Sequence, residues 1–253
     1  MTETCSSRSA DPAALAERTR ILVGDAGLER LARAHVLVVG LGGVGAYAAE
    51  ALARAGVGRL TLVDGDEVAP SNLNRQLLAL HSTLGQRKVA LAGERIADIQ
   101  PGCRLTLIDR FIAADEMPGL LADRPDQVLD AIDSLTCKLA LLETALTSGI
   151  PVASSMGAGG RTDPSRLRLG DLMDSRGCPL AREVRQRLRR RGLGRGVLAV
   201  WSDEPPRPPL PPEPMSRGRP RAVNGTISYL PALFGLMLAG EVVRRLLAED
   251  GAR

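Results

Sequence analysis

Short apolar runs alternate with helix-forming segments over the first 160 residues of the chain. The apolar runs have the composition of strands buried in a parallel sheet and lie at 36–39, 59–63, 104–108, 127–132 and 151–155. The helix-forming segments lie at 13–22, 28–33, 46–54, 84–99, 115–121 and 135–147. This alternation predicts an α/β fold with a doubly wound, Rossmann-like and mostly parallel sheet.

The pattern is less regular after residue 160. Predicted strands at 167–172 and 197–201 enclose an arginine-rich segment and are expected to form a C-terminal antiparallel extension. Residues 203–221 contain 8 of the 17 prolines, which predicts a mobile crossover loop without a regular element. The apolar run at 227–240 is too short to cross a membrane and predicts a buried C-terminal helix.

Four glycines follow the first predicted strand and precede an alanine-rich helix: Gly40, Gly42, Gly43 and Gly45. Glycine permits a tight turn and lets backbone N–H groups approach a phosphate at the positive end of the helix. Asp64 follows 19 residues after Gly45, at the end of the second strand, where a ribose-binding carboxylate normally lies. The pattern predicts a nucleotide site; a strand–helix turn without a ligand is the simpler alternative.

We predict a single domain over residues 1–253. It consists of a nucleotide-binding core at 13–160, which contains this site, and an extension at 161–253. With 253 residues, 44% of them hydrophobic, the chain can bury a core of that size. The net charge of +4 is compatible with an anionic partner. The N-terminus has no secretory signal and the four cysteines lack C-x-x-C spacing, so we expect a cytoplasmic protein without a structural zinc site.

Charged residues beyond the second strand narrow the kind of nucleotide site. Arg75 and Lys88 are two cations that can reach a triphosphate held at the first helix of the core, and a dinucleotide-binding dehydrogenase does not need them. An enzyme that cleaves between the α- and β-phosphates needs positive charge where pyrophosphate leaves. Ligands of doubly wound folds bind in a crevice at the carboxyl ends of the strands. Asp133 follows the fourth strand, so we expect it to face this crevice, where a carboxylate is a natural Mg²⁺ ligand. Lys88 and Lys138 are the only lysines among the 33 basic residues, so lysine is the unusual choice in this chain and both positions are worth examining.

The motifs G-x-G-G-x-G, D-x-D, N-x-N-R-Q, G-Q-x-K and D-x-I-D-S occur in this order and resemble the ubiquitin-activating superfamily of ATP-dependent adenylating enzymes. The resemblance implies that Asp64 binds the ribose, that Asp66 lies close by and that Asp133 binds Mg²⁺. It places four side chains along the triphosphate: Asn72, Arg75, Gln76 and Lys88. It also implies a homodimer in which an arginine of one N-terminal segment, best matched by Arg20, enters the ATP site of the partner.

Within this superfamily the chain is most similar to the tRNA threonylcarbamoyladenosine dehydratases, in the stretches 100–111, 131–138, 158–164 and 201–229. That resemblance implies an enzyme that uses ATP to adenylate the threonyl carboxylate of threonylcarbamoyladenosine in tRNA and then promotes cyclisation. It leaves open a monovalent cation near the Gly-rich loop and a sulfur-transfer-type protein partner.

Alternatives remain at the level of the sequence. An adenylyltransferase that activates the C-terminus of a ubiquitin-like sulfur-carrier protein would share the same motifs. A dehydrogenase would leave Arg75 and Lys88 unexplained. A nucleotide-binding scaffold without catalysis is a further alternative, against which the intact set Arg75, Lys88 and Asp133 argues. The arginines between 182 and 195 fit phosphate contacts with tRNA, but a solvated helix face explains them equally well. Cys103 and Cys137 are expected to be packed apolar thiols, whereas exposure of Cys178 is left open.

Overall fold

The structure is a computed structural model and describes residues 12–213 and 221–248. Its main sheet has seven strands: β1 His35–Val39, β2 Arg59–Val63, β3 Arg104–Ile108, β4 Gln127–Asp130, β5 Val152–Ser155, β6 Leu167–Asp171 and β7 Val197–Ser202. Their order is β3-β2-β1-β4-β5-β7-β6, and only β6 runs antiparallel to its neighbour within this sheet. The predicted mostly parallel α/β fold is therefore confirmed.

The helices are α1 Pro12–Arg33, α2 Gly45–Arg54, α3 Lys88–Ile99, α4 Met117–Leu120, α5 Leu135–Thr147, α6 Pro179–Arg190 and α7 Tyr229–Leu247. One buried apolar cluster packs α2, α3 and α7 on one face of the sheet, and a second packs α5 and α6 on the other. Covering both faces explains why Val36–Val39 of β1 are apolar and buried at every position. None of the helices in the described ranges has the length and apolar character needed to cross a bilayer.

Several predicted boundaries shift by a few residues. α1 is interrupted at Gly24, whose φ of 66° and ψ of 179° are not helical, so its two parts correspond to the two predicted helices. β4 ends at Asp130 rather than at residue 132, and the helix predicted at 84–99 begins at Lys88. β2, β3 and α5 have the predicted bounds.

The C-terminal part continues the main sheet more regularly than predicted. β7 lies parallel beside β5, so the antiparallel extension of the main sheet consists of β6 alone. The expectation that 203–221 contains no regular element is wrong, because β8 Leu210–Glu213 pairs with β9 Arg221–Val223. An isolated two-stranded ribbon accepts prolines, which cannot donate to a ladder, at its unpaired positions. Residues 214–220 of the proline-rich segment lie outside the described residues, and the mobility of the segment stays a prediction.

Candidate active site

The glycine loop between β1 and α2 packs against itself and against the loop after β4. A Cβ atom on Gly45 would lie 1.7 Å from the backbone oxygen of Gly40, and one on Gly40, whose φ is 93°, would lie 2.7 Å from that of Ala131. A Cβ atom on Gly42 would meet only Nε2 of Gln76, at 3.8 Å. Gly40 and Gly45 are therefore required by the fold, whereas Gly42 leaves space at the surface of the loop.

Asp64 lies directly after β2 and is bonded to the glycine loop. Its Oδ2 atom accepts a hydrogen bond of 2.6 Å from the backbone N–H of Leu41, and its Oδ1 atom accepts one of 2.8 Å from that of Asp66. Burial raises the pKa of the Asp64 carboxyl, although the two backbone hydrogen bonds and the charge of Lys88 act in the opposite direction. The structure thus places the predicted ribose-binding carboxylate beside the loop.

Lys88 is the first residue of α3 and only 4% exposed. Its Nζ atom lies 3.0 Å from Oδ2 of Asp66, whose side chain is about half exposed. An ammonium group has three N–H donors, and this pairing engages one of them. Hydrogen bonds link Lys88 to Asp66, Asp66 to Asp64, and Asp64 to the glycine loop. The ammonium group of Lys88 is thereby held near the loop, where it can contact a bound anion.

Arg75 packs against the same loop: a Cβ atom on Gly43 would lie 3.5 Å from its Cγ atom. The guanidinium donates to the backbone oxygen of Ser71 at 2.8 Å and to Oδ1 of Asn74 at 2.9 Å, and has no carboxylate partner within the described residues. Burial lowers the pKa of the Arg75 guanidinium, which nevertheless stays protonated at neutral pH. A half-buried cation bonded only to neutral oxygens is well suited to bind an anion.

The amide side chains of Asn72 and Gln76, on either side of Arg75 in the sequence, differ in their environment. Gln76 is buried beside Gly42, and its Oε1 atom has no hydrogen-bond partner. Asn72 is also buried, but its Oδ1 atom accepts from the backbone N–H of Ala69 at 3.1 Å and closes the turn before it. The donor Nε2 of Gln76 therefore faces the glycine loop, whereas the oxygen of Asn72 has a structural role.

Asp133 is exposed, three residues beyond the end of β4, in the loop whose Ala131 packs on the glycine loop. No group of three metal-ligating side chains that could hold an ion occurs within 12–213 or 221–248. Mg²⁺ commonly binds through one or two carboxylates together with the phosphates of a substrate. The exposed carboxylate of Asp133 would therefore be one ligand of such an ion, and the phosphates of a bound nucleotide would supply others.

Residues 16–252 match the ThiF family. The chain belongs to this family. It is 39% identical to the tRNA threonylcarbamoyladenosine dehydratase of Bacillus subtilis, over 92% of this chain and 94% of that protein. The crystal structure of the Escherichia coli tRNA N6-threonylcarbamoyladenosine dehydratase in complex with ATP is similar with a TM-score of 0.82 and 35% identity, covering 91% and 93% of the two chains. The likeness to a dehydratase thus extends over the whole fold.

A second branch of the ThiF relatives matches a shorter part of the chain. The molybdopterin-synthase adenylyltransferase of Salmonella typhimurium is 42% identical, but over only 51% of either chain. The similarity over nearly the full length therefore favours the dehydratases over the adenylyltransferases that activate sulfur-carrier proteins.

Arg20 lies in α1 and pairs with a residue of the same element rather than with one of the site. Its Nε atom pairs with Asp25 at 2.9 Å across the kink of α1, and its side chain is about half exposed. The next two residues, Ile21 and Leu22, are 76% and 86% exposed. Within this chain Arg20 therefore has no direct part in the site.

A buried charged cluster below the crevice was not predicted as such. Lys138 and Asp130 are fully buried, and Nζ of Lys138 lies 2.5 Å from Oδ2 of Asp130. The same carboxylate accepts from Oγ of Ser154 at 2.6 Å and, through Oδ1, from the backbone N–H of Ile132 at 3.0 Å. The rarity of lysine was the only sequence signal for this cluster, which joins β4, α5 and β5 beneath the loop of Asp133.

Replacing Lys138 with methionine is expected to lower the free energy of unfolding by about 3–5 kcal/mol, because the buried carboxylate of Asp130 loses its cation. Urea unfolding followed by circular dichroism measures the change. The double variant Lys138→Met/Asp130→Asn, which removes both charges, should be more stable than Lys138→Met alone. A Lys138→Met variant as stable as the parent chain would contradict this reasoning.

The cysteines do not supply an exposed nucleophile in the described part of the chain. Cys178 is only 4% exposed, which answers the question left open by the sequence, and Cys103 and Cys137 are half-buried. Burial raises the pKa of the Cys103 thiol to about 11, so that it stays protonated at neutral pH. Cys5 lies outside the described residues.

Phe111 was not singled out as a site residue by sequence reasoning. It is 62% exposed and follows β3, and a Cβ atom on Gly65 would lie 2.6 Å from its backbone nitrogen. An exposed aromatic ring next to Asp64 is unusual in a chain with 2% aromatic residues, and that rarity was the signal available in the sequence. Phe111 is therefore a candidate for contact with the base of a nucleotide.

The C-terminal segment before α7 closes one side of the crevice. Nδ2 of Asn74 donates to the backbone oxygen of Thr226 at 2.8 Å, and the hydroxyl of Tyr229 donates to that of Thr162 at 2.7 Å. Arg161, which is 3% exposed, donates from its guanidinium to the backbone oxygen of Gly157 at 2.6 Å. Residues distant in sequence thus hold the 157–162 loop at the rim.

Proposed function

We propose that this chain is an ATP-dependent dehydratase that acts on threonylcarbamoyladenosine in tRNA. The observation that carries the proposal is that two cations, Arg75 and Lys88, lie near a glycine loop bonded to Asp64. Arg75 is bonded only to neutral oxygens, and Lys88 has a single carboxylate partner. The similarity to dehydratases over nearly the full length of the chain supports the choice of substrate. A dinucleotide pyrophosphate would need neither cation.

The reaction follows from the chemistry of the substrate. The threonyl carboxylate is a poor electrophile, so its oxygen attacks the α-phosphorus of ATP, and the bond to the β-phosphate oxygen breaks with release of pyrophosphate. An internal nucleophile of the same modification then attacks the activated carbonyl and expels AMP, with net loss of one water from the nucleoside. No nucleophile of the protein is required, which agrees with the buried thiols. The protein aligns the groups and stabilises charge.

The site residues are assigned roles within this proposal. Asp64 accepts from a ribose hydroxyl, and Asp66 holds Lys88 in place. Arg75 and Lys88 bind the phosphates that depart, and Asp133 would hold Mg²⁺, which would neutralise phosphate charge. Asn72 and Gln76 lie along the same phosphates, where Nε2 of Gln76, which faces Gly42, can donate to a phosphate oxygen. The backbone of Gly40, Gly42, Gly43 and Gly45 approaches them from the N-terminus of α2.

The test supplies MgATP and tRNA that carries threonylcarbamoyladenosine, digests the tRNA and measures the nucleoside by mass spectrometry. We expect a mass loss of one water that requires ATP and is abolished by Arg75→Ala. Arg54→Ala is the matched control, because Arg54 pairs with Glu50 at the far end of α2. Pyrophosphate exchange that appears only with a carrier protein ending in Gly-Gly would instead establish the sulfur-carrier reaction.

The proposal includes a homodimer in which Arg20 of one chain completes the ATP site of the other. The exposed Ile21 and Leu22 beside Arg20 favour burial of this segment against a second copy. The sulfur-transfer partner and the monovalent cation stay predictions.

Mixing two inactive variants tests the shared site. Arg20→Ala and Lys88→Met homodimers are each expected to be inactive, whereas co-expressed mixed dimers contain one site with both Arg20 and Lys88 and recover activity. Recovery in the mixed dimer, measured as water loss from the nucleoside, is the expected result. Absence of recovery in isolated mixed dimers would show that Arg20 acts within its own chain, and an active Arg20→Ala homodimer would show that Arg20 has no catalytic part.

A further inference from the structure

Helix α6 packs three apolar residues against the sheet and exposes its other faces. Ala181, Val184 and Leu188 are fully buried on one side of the helix. Seven arginines lie on the helix and the turn that follows: Arg182, Arg185, Arg187, Arg189, Arg190, Arg191 and Arg195. The sequence alone does not tell whether they bind phosphates or form a solvated face.

Four of these arginines have partners inside the protein. Arg187 pairs with Glu183 at 2.6 Å, and Arg195 pairs with Asp174 at 2.6 Å. Arg191 pairs with Glu143, and the guanidinium of Arg185 donates to the backbone oxygen of Ser175. The N–H donors of these four arginines are already bonded within the protein. Their presence in the sequence therefore needs no phosphate contact as an explanation.

The other three have no acidic partner within the described residues. Arg182, Arg189 and Arg190 are exposed, and no ion pair or hydrogen bond ties them to the protein. Arg182 and Arg189 are seven residues apart, so they project from the same side of the helix about 10 Å from each other. The pKa of the Asp174 carboxyl is lowered by Arg195 and, less strongly, by Arg176, an exposed residue in the turn before α6 that therefore has an acidic neighbour.

The paired and the unpaired arginines occupy different parts of the exposed face of the helix. The Glu183–Arg187 pair lies on one flank, where acid and base neutralise each other. Arg182 and Arg189 lie on the other flank, and Arg190, seven residues after Glu183, projects from the side of that residue. We call Arg182, Arg189 and Arg190, which have no acidic partner within the described residues, the basic strip. Three exposed arginines without a counter-charge match a polyanion.

The basic strip starts at the rim of the crevice. α6 begins next to the loop after β5, where a Cβ atom on Gly157 would lie 3.8 Å from Sγ of Cys178 and 3.8 Å from Cβ of Leu180. The strip runs from there away from the nucleotide site. A nucleic acid whose reactive nucleotide enters the crevice can continue over α6.

We propose that the basic strip binds the phosphate backbone of the tRNA stem adjacent to the modified nucleotide. This inference rests on the proposed function, because it takes tRNA as the substrate. No aromatic residue lies on α6, so no base stacks on an aromatic ring there, and we assign the contact to phosphates. The strip positions the substrate and has no part in the chemical step.

The experiment compares two triple variants with the same loss of charge. Arg182→Gln/Arg189→Gln/Arg190→Gln removes unpaired arginines of the strip, and Arg187→Gln/Arg191→Gln/Arg195→Gln removes paired ones. Fluorescence anisotropy measures binding of labelled tRNA over a range of salt concentrations. The strip variant should weaken binding at least about tenfold and reduce the slope of log K against log salt by about 2–3, whereas the control changes both much less.

Steady-state kinetics separate docking from catalysis. The strip variant is expected to raise the KM for tRNA while kcat and the KM for ATP stay at the values of the parent chain. Equal weakening in both triple variants would show that only net charge matters, and unchanged binding in the strip variant would place the tRNA elsewhere; either result overturns the proposal. Failure of the parent chain itself to remove water from the nucleoside would overturn the proposed function instead.

Discussion

Replacing Lys88 with methionine is expected to reduce kcat/KM of the water-removing reaction on the order of 100- to 1000-fold, the effect of removing one preorganised donor from a developing charge. Methionine keeps most of the apolar stem that fills this buried position. Asp66, the partner of Lys88, is about half exposed and stays hydrated when the cation is removed. The variant should therefore fold, and the loss should reflect weaker stabilisation of the departing pyrophosphate.

Single-turnover assays of pyrophosphate release and of water loss measure this effect directly. The matched control is Arg87→Met, which removes the neighbouring cation, since Arg87 is tied to Asp109 by a hydrogen bond of 2.8 Å on the surface of the protein. We expect the control to keep nearly full activity. A Lys88→Met variant with the rate of the parent chain would remove Lys88 from the proposed site.

Replacing Gly45 with alanine is expected to lower the free energy of unfolding by about 3 kcal/mol or more and the Tm by roughly 6–12 °C. The new Cβ atom would lie 1.7 Å from the backbone oxygen of Gly40 and 3.2 Å from Cβ of Ala131. Backbone atoms cannot rotate away as a side chain can, so the loop must move. Thermal unfolding followed by circular dichroism measures the change.

Gly42→Ala is the matched variant in the same loop. Its Cβ atom would meet nothing closer than Nε2 of Gln76 at 3.8 Å, so the Tm should stay within about 2 °C of the parent value. If the loop binds phosphate through close backbone approach, the same variant should weaken ATP binding measured by calorimetry. An unchanged affinity for ATP would mean that Gly42 does not contact the nucleotide, and a normal Tm for Gly45→Ala would contradict the steric argument.

Much of the fold could be predicted from local sequence. β2, β3 and α5 occupy the predicted residues because apolar runs and helical periodicity there agree with the tertiary environment. The ribbon of β8 and β9 could not be predicted, because a segment rich in proline carries no strand signal. Its pairing depends on a partner strand that follows several residues later.

The candidate site was predictable where ligand chemistry leaves a motif. Gly40, Asp64, Arg75 and Lys88 carry such motifs, and the structure connects all four around one loop. Arg161 and Phe111 were missed because their meaning depends on contacts with residues far away in sequence. The assignment of individual roles stays a proposal that the variants above test.

The sequence by itself determined the order of strands and helices along the chain and the glycine loop, because these follow from periodicity and from the spacing of a few side chains. The residues that can carry adenylation chemistry were implied by the motifs that resemble the family. Only the tertiary structure decided which charges are already neutralised. Lys138 and Arg187 have carboxylate partners, whereas Arg182 and Arg189 have none within the described residues. The physical reason is that a charge is neutralised by neighbours in space, and most of those neighbours are distant along the chain.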